Sequence, residues 1–233
     1  MSILQENTLL LLMKYLYALL FISLLSCERP EIEQPAEFPS TLYLSRISIK
    51  SKVRLYTAKK EITDQAIIDR FVESNGGFRL KDSSVVSDEY IKFISPDSAE
   101  MVNSSSSFLI TKNDKQLLFK STKKQIVTQG QMKSSFNMLK YRSEFEPVWD
   151  NKFSTYNMMV GYGNYSELSM SVFEYLRVWW TTSFDSLFFQ HPDLYKASSY
   201  GKTLNEFDES YVNSIGKADT LAIREYFYLM KKR

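Results

Sequence analysis

Two carboxylates two positions apart, Glu144 and Glu146, stand beside Trp149 and Asp150 in the run Ser143-Glu144-Phe145-Glu146-Pro147-Val148-Trp149-Asp150. Residues i and i+2 of a strand project from one face, and glycoside hydrolysis sets two carboxyl groups roughly 5–10 Å apart around the scissile bond. The spacing therefore permits a carbohydrate-active hydrolase, although acids beside a proline also suit a solvated loop. The one histidine, His191, lies in Gln190-His191-Pro192-Asp193. Without a G-x-S-x-G elbow it has no nucleophile to serve, and one His with one Cys cannot complete a zinc site, so it reads as a turn residue before proline. Aromatic side chains offer more: Trp149, Tyr162, Tyr165, Trp179 and Trp180 suit a stacking platform for a glycan or the wall of a pocket for an apolar ligand. Strand-borne Trp179 and Trp180 would point to opposite faces. Gly161-Tyr162-Gly163 is followed by no Lys-Ser/Thr and opens no helix, which makes it a turn or bulge and not a phosphate loop. No catalytic residue, cofactor or metal is assigned.

The second chemistry belongs to Cys27, the single cysteine. Lys14 precedes an apolar run that ends in Leu24-Leu25-Ser26-Cys27, which has the basic, apolar and small-residue parts of a secretory signal and resembles a bacterial lipobox. Residues 1–26 are thus expected to be a cleaved lipoprotein signal peptide and Cys27 a lipidated, palmitate-type anchor, each acyl chain holding by about 0.8 kcal/mol per buried CH₂. The rival reading is a permanent transmembrane anchor, since the stretch from Leu9 approaches the ~20 residues a span needs, but Lys14 interrupts it. Glu6 stands where a basic region is expected, so Met13 is the expected translation start. With Cys27 lipidated, no thiol remains for a disulfide. Stability must come from the core.

Composition says what that core contains. Removing 26 of 233 residues leaves 207, enough for a single domain, and the chain has 3 Trp, 15 Tyr and 16 Phe against 7 Gly and 6 Pro. That balance suits large side chains packed between sheets and excludes disorder. The net charge is +2, with a basic run of Arg46, Lys50, Lys52, Arg54, Lys59 and Lys60 that reads as the solvated face of a hairpin and not as a nucleic-acid surface. Residues 27–40 carry prolines and glutamates without an amphipathic period and form an extended linker; residues 41–233 form one β-rich domain.

The elements that must position these groups follow from periodicity. Leu42, Leu44, Ile47 and Ile49 alternate with polar neighbours, Val53 and Leu55 continue the pattern, and short strands are expected at 90–94, 98–102, 108–111, 116–120, 125–128, 136–141, 155–160, 168–173 and 175–182. A helix starting at Thr63 or Asp64 places Ile67, Ile68, Phe71 and Val72 on one face and stops at Asn75-Gly76-Gly77. A second helix is expected from the capping-box form of Thr203-Leu204-Asn205-Glu206, with Gly216 as its stop. Residues 220–230 are apolar on both faces, which predicts a central or sheet-closing strand. The fold class is all-β, an antiparallel sandwich or lipocalin-like barrel with two short helices.

Together with the lipobox, Leu55-Tyr56-Thr57, the run from Glu61 to Ile68, Val160-Gly161-Tyr162-Gly163-Asn164-Tyr165, Asn205-Glu206-Phe207 and Asp219-Thr220-Leu221-Ala222-Ile223 resemble β-rich lipoproteins of Bacteroidota to which no activity is assigned. That resemblance implies a lineage and an address at the outer membrane, periplasmic or surface-exposed, and carries over no catalytic residue. The expected role is a non-catalytic envelope module that binds a glycan, an apolar ligand or a protein partner, with hydrolysis through Glu144 and Glu146 as the alternative.

Overall fold

The computed structural model describes residues 36–57, 60–75, 78, 83–84, 90–101, 106–183 and 193–233. Cys27, His191 and the rest of the leader and linker up to residue 35 lie outside them. The described strands are β1 (Ser40–Ile49), β2 (Arg54–Thr57), β3 (Lys60–Ile62), β4 (Ser83–Ser84), β5 (Tyr90–Ser95), β6 (Ser98–Met101), β7 (Ser106–Asn113), β8 (Gln116–Thr128), β9 (Glu146–Trp149), β10 (Lys152–Gly163), β11 (Glu167–Ser183), β12 (Asp193–Thr203) and β13 (Thr220–Lys231). Two short α-helices, α1 (Gln65–Asn75) and α2 (Gln129–Ser134), join them.

All ladders are antiparallel, and eight strands close into a barrel in the order β11-β10-β8-β7-β6-β5-β1-β13, the last pairing back onto β11. Of the two architectures open to the sequence, the barrel is the one formed. Full closure removes the free edges that an open sheet of this size would expose. The β11–β13 ladder runs from Glu167↔Lys231 to Val178↔Thr220, longer than the barrel is tall. Its upper half extends the same sheet past the barrel, where β12 lies on the far edge of β11, and β2 and β3 lie beside β13.

Side-chain parity divides the interior. Even-numbered residues of β13 face inward at Tyr226, Tyr228 and Met230, beside Met170 and Val172 of β11, Phe93, Phe119 and Leu42, to form the barrel core. Farther up, the same face carries Ala222 and Leu176 under Ile68 of α1. Odd-numbered Leu221, Ile223, Phe173 and Tyr175 face the other way and are covered by Met138, Leu139 and Phe207. Burying one such Phe or Leu stabilises by about 1.5–3 kcal/mol. The helix α1 begins as expected: Asp64 Oδ1 accepts from Ala66 N at 2.9 Å, and Ile68 is its buried contact while Ile67 is half exposed.

Two sequence expectations are overturned. No helix starts at Thr203; Leu204 and Asn205 form a bend, Phe207 makes a single β-bridge, and the first helical turn is the 3-10 segment Glu209–Ser214, capped by Asp208. The Asn205 side chain, inside the expected capping box, is fully buried: its amide donates to Tyr141 O (2.7 Å) and Met158 O (2.8 Å), and its oxygen accepts from Tyr141 N (3.1 Å) and Glu206 N (2.9 Å). Residues 136–141 form no strand either, but a 3-10 turn at Phe136–Met138 followed by a single bridge, Leu139↔Phe207. These two segments cross the outside of the barrel as one strap, with tertiary partners outweighing local propensity. The capping box is realised instead at Thr128 and Gln131, which start α2.

Replacing Asn205 by alanine leaves two buried carbonyls and two N–H groups without their partner. The cost is expected at about 3 kcal/mol, read as a lowered urea midpoint with an unchanged slope.

Candidate ligand-binding site

At one end the barrel is plugged. Tyr165 packs edge-on against Phe38 and Phe93, each with ring centroids 5.1 Å away, and its hydroxyl donates to Pro96 O at 2.9 Å. Toward the other end the inward positions of β5, β6, β10, β11 and β13 carry Ile91, Met101, Met159, Met170 and Met230, which surround a cavity of about 320 Å³. Gly161 helps to keep this region passable: a Cβ there would stand 2.8 Å from Met170 Sδ. The mouth follows from the topology. β10 pairs with β11 only over Gly161–Gly163, whereas β12 takes that edge of β11 from Phe173 onward. Between the two ladders a gap remains, rimmed by Asn157, Lys202, Thr203 and Leu204.

Two further recesses meet the cavity there. A polar one of about 410 Å³ is lined by Ser106, Ser121, Thr122, Lys123, Gln125 and Asn157. A smaller one of about 240 Å³ lies over Phe136, Leu139, Tyr175 and Gly201. Asn157 borders all three. The break in the β8–β10 register between Tyr156↔Lys124 and Met158↔Lys120 places residues 121–123 opposite Asn157 alone. That bulge bends the ladder outward and is held by Asn157 N donating to Ser121 Oγ at 2.9 Å.

A polar row crosses the sheet above the apolar lining. Lys202, Glu174 and Arg224 are register partners on three adjacent strands. Glu174 is 1 % exposed and accepts from Arg224 Nη2 at 3.0 Å and from Tyr226 Oη at 3.3 Å. Lys202 Nζ donates to Tyr228 Oη at 2.7 Å. Burial, reinforced by the nearby Glu174 carboxylate, pushes the Tyr200 hydroxyl up to about 12 and raises that of Tyr226 as well. Both phenols thus stay protonated and can donate to Glu174.

The aromatic residues expected to form a platform are not brought together. Tyr165 belongs to the plug, and Tyr162 donates to Glu206 on the outside of β10. Trp149 is exposed on β9 with the Lys152 ammonium 5.2 Å from its ring. Trp179 and Trp180 sit near the far end of β11 on opposite faces, with Arg177 5.4 Å from the Trp179 ring and Trp180 half exposed. Some ten residues of strand, about 30 Å at 3.3 Å per residue, separate them from Tyr162 and Tyr165. Glu144 and Glu146 are exposed, and Glu146 is ion-paired with Lys124. Neither lines the three recesses. Of the basic run, Arg54 is paired with Glu209 and Glu225, and Lys50 with Glu225.

Among the described residues no cluster of metal-ligating side chains is present, and no described helix is long and apolar enough to cross a membrane. Comparison with protein-family models, curated proteins and solved structures returns no match. The cavity's own lining supplies thioethers, an amide, hydroxyls and one ammonium, groups suited to holding a molecule. Sequence reading missed Met101, Met159, Met170, Met230, Asn157 and Lys202. A signal was present for three of them, since Met159, Met170 and Met230 share the inward parity of their strands.

Two stability effects test these polar assignments. Arg224→Met alone strands the buried Glu174 carboxylate and is expected to cost about 3–5 kcal/mol, while Glu174→Leu with Arg224→Met recovers most of it, as chemical unfolding of the three proteins will show. Burial opposes ionisation of Glu206, but the Lys140 ammonium at 2.7 Å and the Tyr162 hydroxyl outweigh it and hold the carboxyl below its ordinary 4.5. Its contribution is therefore complete above 4.5 and is lost as pH falls through the lowered value. Glu206→Gln should cost about 1–2 kcal/mol at pH 7, a deficit that shrinks as the unfolding measurements are taken into the acid range.

Proposed function

We propose that the chain is a lipid-anchored, non-catalytic binding protein of the bacterial envelope, whose barrel takes up an apolar small molecule. The observation that carries the binding role is the cavity of about 320 Å³ inside a closed eight-stranded barrel. Barrels of this size either fill their interior or hold one small ligand, and the volume lies at the lower end of the range for ligand pockets. Methionine contributes four of the lining residues, Met101, Met159, Met170 and Met230. Their unbranched, polarizable side chains adapt to the shape of a guest, the property for which methionine is used at permissive binding surfaces. The address rests on the sequence alone: Lys14, the apolar run and Leu24-Leu25-Ser26-Cys27 support export and acylation, with membrane attachment through Cys27.

Native mass spectrometry of the secreted chain carrying Cys27→Ser tests the binding role. An added mass that survives gentle transfer and disappears on denaturation is expected. Met170→Trp, which fills the cavity from β11, should abolish the added mass while leaving the far-ultraviolet circular dichroism unchanged. A bare mass for the parent chain, also after incubation with apolar extracts of the envelope, would remove the cavity as a binding site.

A further inference from the structure

We infer that the occupant of the barrel is a single-chain glycoside, an unbranched chain lying among the methionines with one uncharged sugar ring seated in the polar recess beside it. The inference rests on the reading of the barrel as a small-molecule site and names the class of molecule. Two chambers of opposite character share one wall: the cavity of about 320 Å³ and the recess of about 410 Å³ both border Asn157. Successive positions of two paired strands carry the change. On β8 the buried series Leu117 and Phe119 ends in Ser121, and on β10 the lining passes from Met159 to Asn157. At about 30 Å³ for each water-sized group, the apolar side accommodates roughly ten methylenes and the polar side about thirteen heavy atoms, close to the dozen or so of one hexose. Ile91, Met159, Met170 and Met230 offer no hydrogen-bond donor, so a polar group placed among them would be desolvated without compensation. Their flexible thioether walls fit a flexible chain.

The recess selects the head by size and by bonding. Ser121 is engaged in the bulge itself, its hydroxyl accepting from Asn157 N at 2.9 Å and donating to Lys123 O at 2.9 Å, and the Lys124 ammonium is ion-paired with Glu146. Beside them the lining carries the hydroxyls of Ser107 and Thr122 and the amides of Gln125 and Asn157. Hydroxyls and amides both donate and accept. A sugar, whose hydroxyls do the same, matches both halves of each group. An ionised carboxylate or phosphate only accepts, and either fills a fraction of the recess. Chain and head join at Asn157, where three residues of β8 stand opposite one of β10 and the ladder bends outward.

Calorimetric titration of the secreted Cys27→Ser chain with decyl glucoside, decanol, decyl phosphate and glucose, each below any aggregation limit, tests the inference. Decyl glucoside is expected to bind at least tenfold more tightly than each of the other three. Thr122→Val combined with Gln125→Leu, both at exposed positions, should bring decyl glucoside to the level of decanol while decanol binding itself is retained, which also shows the variant to be folded. Equal affinity for decyl glucoside and decanol, a preference for decyl phosphate, glucose binding as tight as that of its decyl glycoside, or an unchanged preference in the double variant would overturn the glycoside assignment and leave the barrel as a site for other guests. If none of the four binds and the parent chain carries no added mass, the barrel reading fails, and the glycoside with it.

Discussion

The structure depends on the ladder between β11 and β13. It closes the barrel at one end and, without interruption, becomes the spine of the upper sheet, so one set of backbone hydrogen bonds holds two layers in register. Neighbouring residues on each strand point to opposite sides. The ladder therefore places Val172, Leu176, Ala222, Tyr226, Tyr228 and Met230 on the continuous inner face and Phe173, Tyr175, Leu221 and Ile223 on the face under the strap. Slipping β13 by one residue would move Tyr226 and Tyr228 out of the barrel and Phe227 in. Because β13 also pairs with β1 below and β2 above, such a slip would have to be made in three ladders at once.

The opposed pair of Glu174 and Arg224 adds an electrostatic penalty to that steric one. In register, the carboxylate accepts from the guanidinium and from Tyr226 in a site almost sealed from water. Out of register, each charge would be buried against apolar neighbours, at a cost of several kcal/mol. The pair is not a strong source of net stability, since desolvation consumes much of its Coulombic gain. Its consequence is positional: it marks the level at which the apolar interior ends, and Lys202 enters the same row from β12. A structural charge pair and the cation at the cavity mouth thus share one line of register partners.

Much of the architecture was legible in the chain because it is written in period two. The alternation of Leu42, Leu44 and Ile47, the packing of Ile68, Phe71 and Val72 on one face of α1 and the two-sided apolarity of β13 each follow from local pattern, and the structure bears them out, whereas Ile67, expected on that face, is half exposed. Other features depend on distant partners. Residues 121–124 read as a break between two strands, yet β8 runs through them because a bulge opposite Asn157 lets both halves stay paired with β10. Glu174 likewise reads as a break in β11, since nothing nearby announces Arg224 fifty residues on. Thr203-Leu204-Asn205-Glu206 has the form of a capping box, and only the backbone of Met158 and Tyr141 shows why Asn205 is held in an irregular strap instead. The cavity was hidden for the same reason. Methionines on four separate strands say nothing of a common lining until closure brings them together, whereas the conspicuous tryptophans are spread along the outer surfaces.

The two ends of the barrel are chemically unlike, and the difference follows from which residues fill them. At the lower end Phe38, Phe93 and Tyr165 interlock edge to face, and rigid rings in that arrangement leave little free volume. Ser40, where the chain enters β1, is tied to this end by its hydroxyl bond to Tyr165 O at 2.8 Å. At the upper end thioethers replace rings, the β10 and β12 edges part, and the lining passes within a few residues from Met170 and Met230 to Tyr228 and Lys202. The order of residues along β11 and β13 therefore sets a gradient inside the barrel, from the charged row at the upper end through the thioether lining to the interlocked rings at the lower end.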